Sequence, residues 1–141
     1  MYRLGNRSRK NMIGLHPILA FATEMAIKRS KQDFGILNKG GVRTDKEQAT
    51  LYAQGRTTEG SKITWTRNSY HQYGLAVDLV AYSNGRFNWN VDSYAEITKA
   101  MKSVIEDYDL PIDHGFDLWG RDYPHWQLTG FKPYYDIRKY L

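Results

Sequence analysis

A chain of 141 residues fits one compact domain, and 41% hydrophobic against 25% charged residues is enough to build a core and gives no sign of disorder. The absence of cysteine excludes disulfides, thiolate metal sites and cysteine nucleophiles, so any metal site must be built from His, Asp and Glu. A net charge of +5 attracts polyanions, but the basic residues are scattered apart from Arg7, Arg9 and Lys10, and nucleic-acid binding is not expected.

No apolar run reaches the roughly 18–20 residues needed to span a bilayer, so stable membrane insertion is not expected. The basic N-terminus is not followed by the apolar stretch of a signal peptide, which predicts a protein made and kept in a cytoplasm. If its substrate lies outside, something else must let it through. No repeat, low-complexity tract or linker divides the chain, and a single domain over 1–141 is predicted.

In chain order, Pro17 opens a helix whose apolar residues Ile18, Leu19, Phe21, Ala22, Met25, Ala26 and Ile27 recur at helical spacing; it should end near Lys31. Phe34 to Leu37 reads as a short strand closed by Gly40-Gly41. Thr44-Asp45-Lys46-Glu47 is a capping box, and the helix it starts should stop at Gly55. Residues 55–70 are polar and turn-rich and read as a surface loop. Ala76-Val77-Asp78-Leu79-Val80 reads as one buried strand, with a turn at Ser83-Asn84-Gly85. Asp92 through Tyr108 carries Tyr94, Ile97, Met101, Val104 and Ile105 on one helical face. A loop containing His114 follows, then a strand at His125-Trp126-Gln127-Leu128, and a short tail helix over Pro133–Leu141. Helices and strands do not alternate as βαβ units, so an α+β domain with one small, mainly antiparallel sheet is predicted.

Chemistry is concentrated in two segments. A carboxylate in Ala-Val-Asp78-Leu-Val is costly unless a cation or several donors satisfy it. His71 lies seven residues earlier, and Gly74 can bend the chain so that both side chains face one point; a straight strand would put them on opposite faces. In Asp122-Tyr123-Pro124-His125, Pro124 favours an extended backbone before His125. His71, Asp78 and His125 would give three ligands and leave a fourth position open for water, as catalytic zinc requires. Asp122, three residues before His125, is the choice for the carboxylate that moves the proton. Equally open on spacing alone is a buried Asp78 paired with Arg43 or Lys62, with two ordinary polar histidines. His16 belongs to a helix start. A serine hydrolase lacks its Gly-x-Ser-x-Gly, the His-Glu-x-x-His helix is absent, and a glycosidase acid at Glu24 is outweighed by a surface reading.

Ser69-x-His71-x-x-Gly74-x-Ala76-x-Asp78 followed by Asp122-x-x-His125 resembles the signature of the D-alanyl-D-alanine carboxypeptidase and L-alanyl-D-glutamate endopeptidase family. Gly41-Val42-Arg43-Thr44, Gln48 and Leu51-Tyr52 also look like its pattern, so the resemblance spans about Val42 to Leu128. It implies the fold shared with the Hedgehog signalling domain, zinc held by His71, Asp78 and His125, and Asp122 at the family's catalytic Glu or Asp. It further implies that Arg43 stabilises the developing oxyanion and that Ser69 and Gln48 bind substrate. The segment from Tyr82 to Asn90 is similar to the L-alanyl-D-glutamate branch, particularly phage lysis enzymes. That likeness implies a monomeric endolysin cutting peptidoglycan, held in the host cytoplasm until a holin lesion lets it reach the periplasm and wall. A carboxypeptidase or dipeptidase of the same family, and a non-catalytic Hedgehog-like zinc domain, are the alternatives.

Overall fold

The computed structural model describes residues 1–66 and 68–130. The expected tail helix over 133–141 lies outside the described residues.

Two helices supply most of the apolar layer. Helix α2 (Pro17–Arg29) starts at His16, whose Nδ1 accepts from the Ile18 N–H at 3.1 Å, with Pro17 in the first turn. It buries Leu19, Ala22, Thr23, Ala26 and Ile27, a stripe at i, i+3, i+4, i+7 and i+8. Helix α4 (Val91–Tyr108) buries Tyr94, Ile97, Ala100, Met101 and Val104 against it. Alanines at the contact let the two backbones approach, and each large apolar side chain enclosed there contributes about 1.5–3 kcal/mol. Phe21, expected among the apolar face, stands on the outer side with its ring 4.9 Å from Tyr108. Helix α1 (Asn6–Asn11) has no apolar stripe; only Ser8 is buried, and its hydroxyl accepts from the Ile36 N–H at 3.0 Å.

The sheet is divided in two. Strands β1 (Phe34–Gly35), β3 (Val80–Ser83) and β4 (Arg86–Asn88) form one antiparallel sheet in the order β1-β3-β4. Strands β2 (Ala76–Asp78), β5 (Ile112–His114) and β6 (His125–Leu128) form the other, in the order β2-β6-β5. The single strand expected over 76–80 therefore belongs to both. At its middle the Asp78 N–H turns to the Gly40 carbonyl (2.7 Å) and the Leu79 N–H to the Pro124 carbonyl (2.9 Å), and the chain leaves one ladder for the other. From residue 76 to 81 every residue except Asp78 is buried, so hydrophobicity alone reads straight through the switch.

Helix α3 (Asp45–Ala53) carries the expected capping box: the Thr44 hydroxyl accepts from the Glu47 N–H at 3.0 Å and the Glu47 carboxylate accepts from the Thr44 N–H at 2.9 Å. A short helix α5 (Gly115–Trp119) occupies part of the expected loop before β6. The α+β class holds, with two small antiparallel sheets in place of one.

Candidate metal centre

The switch between the sheets delivers Asp78 to the site. In the β2–β6 register Asp78 is paired with His125, and the Asp78 Oδ1 lies 3.2 Å from the His125 Nδ1. His71 arrives from a 3-10 turn over Tyr70–Tyr73. The Ser69 hydroxyl caps that turn through the His71 N–H (3.2 Å), and the Gln72 side chain accepts from the Ser69 N–H (2.6 Å). Gly74 ends the turn at φ 70°, a left-handed conformation that a Cβ disfavours, and the following strand then runs toward Asp78. A Cβ at Gly74 would also meet the Gly14 carbonyl. The bend expected at Gly74 is therefore present, and it brings His71 Nε2 to 3.4 Å from Asp78 Oδ1.

The outer nitrogen of each imidazole is fixed. His71 Nδ1 lies 2.9 Å from the Gly41 carbonyl, which can only accept, so Nδ1 carries the proton and Nε2 presents a lone pair inward. His125 Nε2 lies 2.9 Å from Gln127 Oε1, which leaves Nδ1 facing Asp78. Two imidazole lone pairs converge on one carboxylate oxygen, an arrangement that repels unless a proton or a cation lies between them. The inward atoms of His71, Asp78 and His125 all lie within 4.8 Å of one another, and two nitrogens with one hard oxygen are a donor set suited to a divalent ion such as zinc. The three residues fit a metal.

The local field agrees. Burial would raise the Asp78 carboxyl, but the charges and hydrogen bonds of His71 and His125 outweigh it and hold the group well below the usual carboxylate range. Burial pulls the His125 imidazole down, and the hydrogen bond and charge of Asp78 overcome it and leave the imidazole raised. Arg43 also reaches Asp78: a terminal nitrogen lies 3.4 Å from Oδ2. The Asp78–Arg43 pairing open on sequence grounds is thus present at the second oxygen, while the imidazoles occupy the first. Lys62 makes no ion pair with Asp78.

Arg43 is held from three sides, its Nε donating to the Lys39 carbonyl (2.6 Å) and one terminal nitrogen to Gln48 Oε1 (3.0 Å). Gln48 is 0% exposed and does not line the cleft; its amide nitrogen donates to the Thr66 carbonyl at 2.7 Å. The substrate contact expected of Gln48 does not match this enclosure, which places it behind Arg43 as its support. Ser69 does line the cleft, though its hydroxyl also serves the His71 turn. Asp122 lines the same cleft at a left-handed φ of 69°. Desolvation and the charge of Asp78 push its carboxyl up, against the opposing pull of His125, His71 and Arg43.

The cleft encloses ≈ 770 Å³, and its rim includes Trp65, Trp89, Trp119 and Arg121, none of which the sequence reading singled out as site residues. Exposed tryptophans carry no signal in a single sequence until a fold gathers them. His114, expected in a loop, ends β5 and is buried, stacked 4.0 Å from Trp126 with its Nε2 2.8 Å from the Tyr123 carbonyl. Glu24 pairs with Arg9 at the surface, far from acid chemistry.

Comparison with known proteins gives one consistent result. A curated relative, the peptidoglycan L-alanyl-D-glutamate endopeptidase CwlK of Bacillus subtilis (strain 168), is 34% identical over 125 residues, 81% of this chain and 73% of the relative. The L-alanyl-D-glutamate peptidase of Escherichia phage T5 is 26% identical over 117 residues, 82% of this chain and 81% of that protein. The crystal structure of Serratia marcescens L-Ala D-Glu endopeptidase ChiX superposes with a TM-score of 0.76 at 28% identity, covering 99% of this chain and 93% of that one. The family model for phage L-alanyl-D-glutamate peptidase matches residues 1–129, and the chain belongs to that family.

Proposed function

We propose that the protein is a single-domain zinc peptidase that cuts the L-alanyl–D-glutamate bond of peptidoglycan stem peptides and serves as a phage endolysin. The convergence of His71 Nε2, His125 Nδ1 and Asp78 Oδ1 beside Arg43 and Asp122 in one cleft carries this reading, and family membership gives it the bond. His71, Asp78 and His125 would hold the ion. Zinc held by three protein ligands lowers the pKa of a bound water to about 7 and polarises a carbonyl.

The remaining work falls to the chain's own groups. Asp122 takes the proton of the attacking water and returns it to the leaving amine; a carboxyl raised toward the working pH exchanges protons more readily in both directions. Arg43, fixed by Gln48 and the Lys39 carbonyl, offers a cation to the carbonyl oxygen as charge develops there. The cleft is large enough for a peptide, and Trp65, Trp89 and Trp119 offer it apolar surface. The protein acts as a monomer at the cell wall, reaching it from the host cytoplasm through a holin lesion. No described helix is long and apolar enough to cross a membrane.

Digestion of purified murein followed by mass spectrometry tests the reading. New L-Ala carboxyl termini and D-Glu amino termini are expected, lost with a chelator and restored by zinc. Release of D-Ala, or new reducing sugar ends that persist under chelation, would overturn it.

A further inference from the structure

One cation in the cleft has no part in the metal centre or in the fold. Arg121 lines the cleft and is exposed, and it makes no ion pair among the described residues. Its guanidinium carbon lies 5.8 Å from the centroid of Trp65, a ring that also lines the cleft and is 62% exposed. A guanidinium held against a ring face keeps its in-plane N–H donors available for a planar oxyanion. Arg43 has three of its five N–H donors directed to the Lys39 carbonyl, Gln48 and Asp78, and the remainder serve the carbonyl oxygen of the cleaved bond in the reading above, so a second oxyanion needs another cation.

The chemistry of the substrate asks for a cation at this place. In an L-alanyl–D-glutamyl bond the leaving nitrogen belongs to the glutamate. Glutamate has two carboxyls, and continuing the peptide uses one, so the other remains as a carboxylate only a few bonds from that nitrogen. Asp122 must approach the same nitrogen to protonate it, and a second carboxylate nearby repels both Asp122 and Asp78 unless a cation offsets it. Arg121 is the chain neighbour of Asp122 and faces the same cleft.

We propose that Arg121, held against Trp65, receives the free carboxylate of the D-glutamyl residue and thereby sets the preference for an acidic residue on the amine side of the cleaved bond. This rests on the peptidase reading above and adds a specificity determinant to it. Lys39 is the other lining cation outside the metal centre and serves as the control.

The test compares kcat/KM on a stem peptide containing L-Ala–D-Glu with the same peptide in which the free glutamyl carboxyl is an amide. Wild type should prefer the acid by about tenfold to a hundredfold, the range expected of one charge-assisted hydrogen-bonded contact. Arg121→Gln should bring that ratio close to one, mainly through KM, and Arg121→Lys should recover part of it. Binding of the product peptide with an N-terminal D-Glu, measured by calorimetry without turnover, should weaken by a similar factor in Arg121→Gln. An unchanged ratio in Arg121→Gln, or a collapse confined to Lys39→Gln, overturns the assignment while leaving L-Ala–D-Glu cleavage intact. Failure of wild type to cut that bond in either peptide instead removes the peptidase reading and this inference with it.

Discussion

Asp78 and His125 face each other as a register pair of the β2–β6 ladder, with Oδ1 3.2 Å from Nδ1. Two of the three proposed ligands are thus set by strand pairing, and only His71 depends on a turn. In His125→Ala the Asp78 carboxylate keeps Arg43 but loses an imidazole partner in a largely buried place. Metal content measured on the purified variant should fall to background, with murein cleavage abolished. Loss of one partner of a buried charge should also destabilise the metal-free protein by about 1–3 kcal/mol in denaturant titration. Wild-type metal stoichiometry in this variant would exclude His125 as a ligand.

The strands that carry Asp78 and His125 were legible beforehand but their pairing was not, and the exceptions have physical causes. The Thr44–Glu47 box and the Gly74 bend are local chemistry, written within a few residues, and both are present as expected. The switch at Leu79 was not legible, because it depends on which distant carbonyls, Gly40 and Pro124, receive two N–H groups. Helix α1 went unread because it buries only a serine, and His114 because a lone histidine gives no sign of the tryptophan it will stack on. Gln48 and Arg43 drew attention through a resemblance; only the fold shows that one supports the other.

Asp122 sits at a positive φ, which asparagine tolerates better than alanine does. Asp122→Asn is therefore the cleaner probe, removing the exchangeable proton with little backbone strain. It should bind metal as wild type does and lose about 10²–10⁴-fold in kcat, the usual range for removing a general acid–base. Near-normal kcat would assign the proton transfer elsewhere.

The metal-free protein should show an opposed pH dependence at the two ends. The depressed Asp78 carboxyl contributes stability that is complete above its unfolded value of about 3.9 and fades as pH falls below it. The raised His125 imidazole contributes stability that is complete below about 6.5 and fades as pH rises through its folded value. Their joint contribution is greatest from about pH 4 to 6.5. Metal binding runs the other way above that window, because the imidazole must release its proton to the ion. Unfolding free energies of wild type minus Asp78→Asn, with chelator, should peak in this window, whereas metal affinity should keep rising toward pH 8. A flat difference across pH would show that the two groups are uncoupled.

Gly74→Ala should weaken the centre without touching a ligand. The change forces a Cβ into a left-handed residue and against the Gly14 carbonyl, at a cost above about 1 kcal/mol. The strain falls on the turn that carries His71, so metal affinity should drop together with thermal stability. Retained affinity in a destabilised variant would mean that the His71 turn adapts independently of its cap.

Gln48→Met separates the support of Arg43 from the metal site. Methionine has a similar volume, so the enclosed space stays filled, but the Thr66 carbonyl and one Arg43 donor lose their partner. Both groups are only part-buried and water can reach the Thr66 carbonyl, so the loss should cost about 0.5–1.5 kcal/mol of stability. Metal content should stay at wild-type level, since Gln48 contacts none of the three ligands. A guanidinium free to swing no longer meets the developing charge at a fixed place, so kcat should fall by about tenfold or more with KM changing less. If KM rises instead and kcat is preserved, Gln48 acts on substrate binding after all, and its enclosure opens when substrate enters.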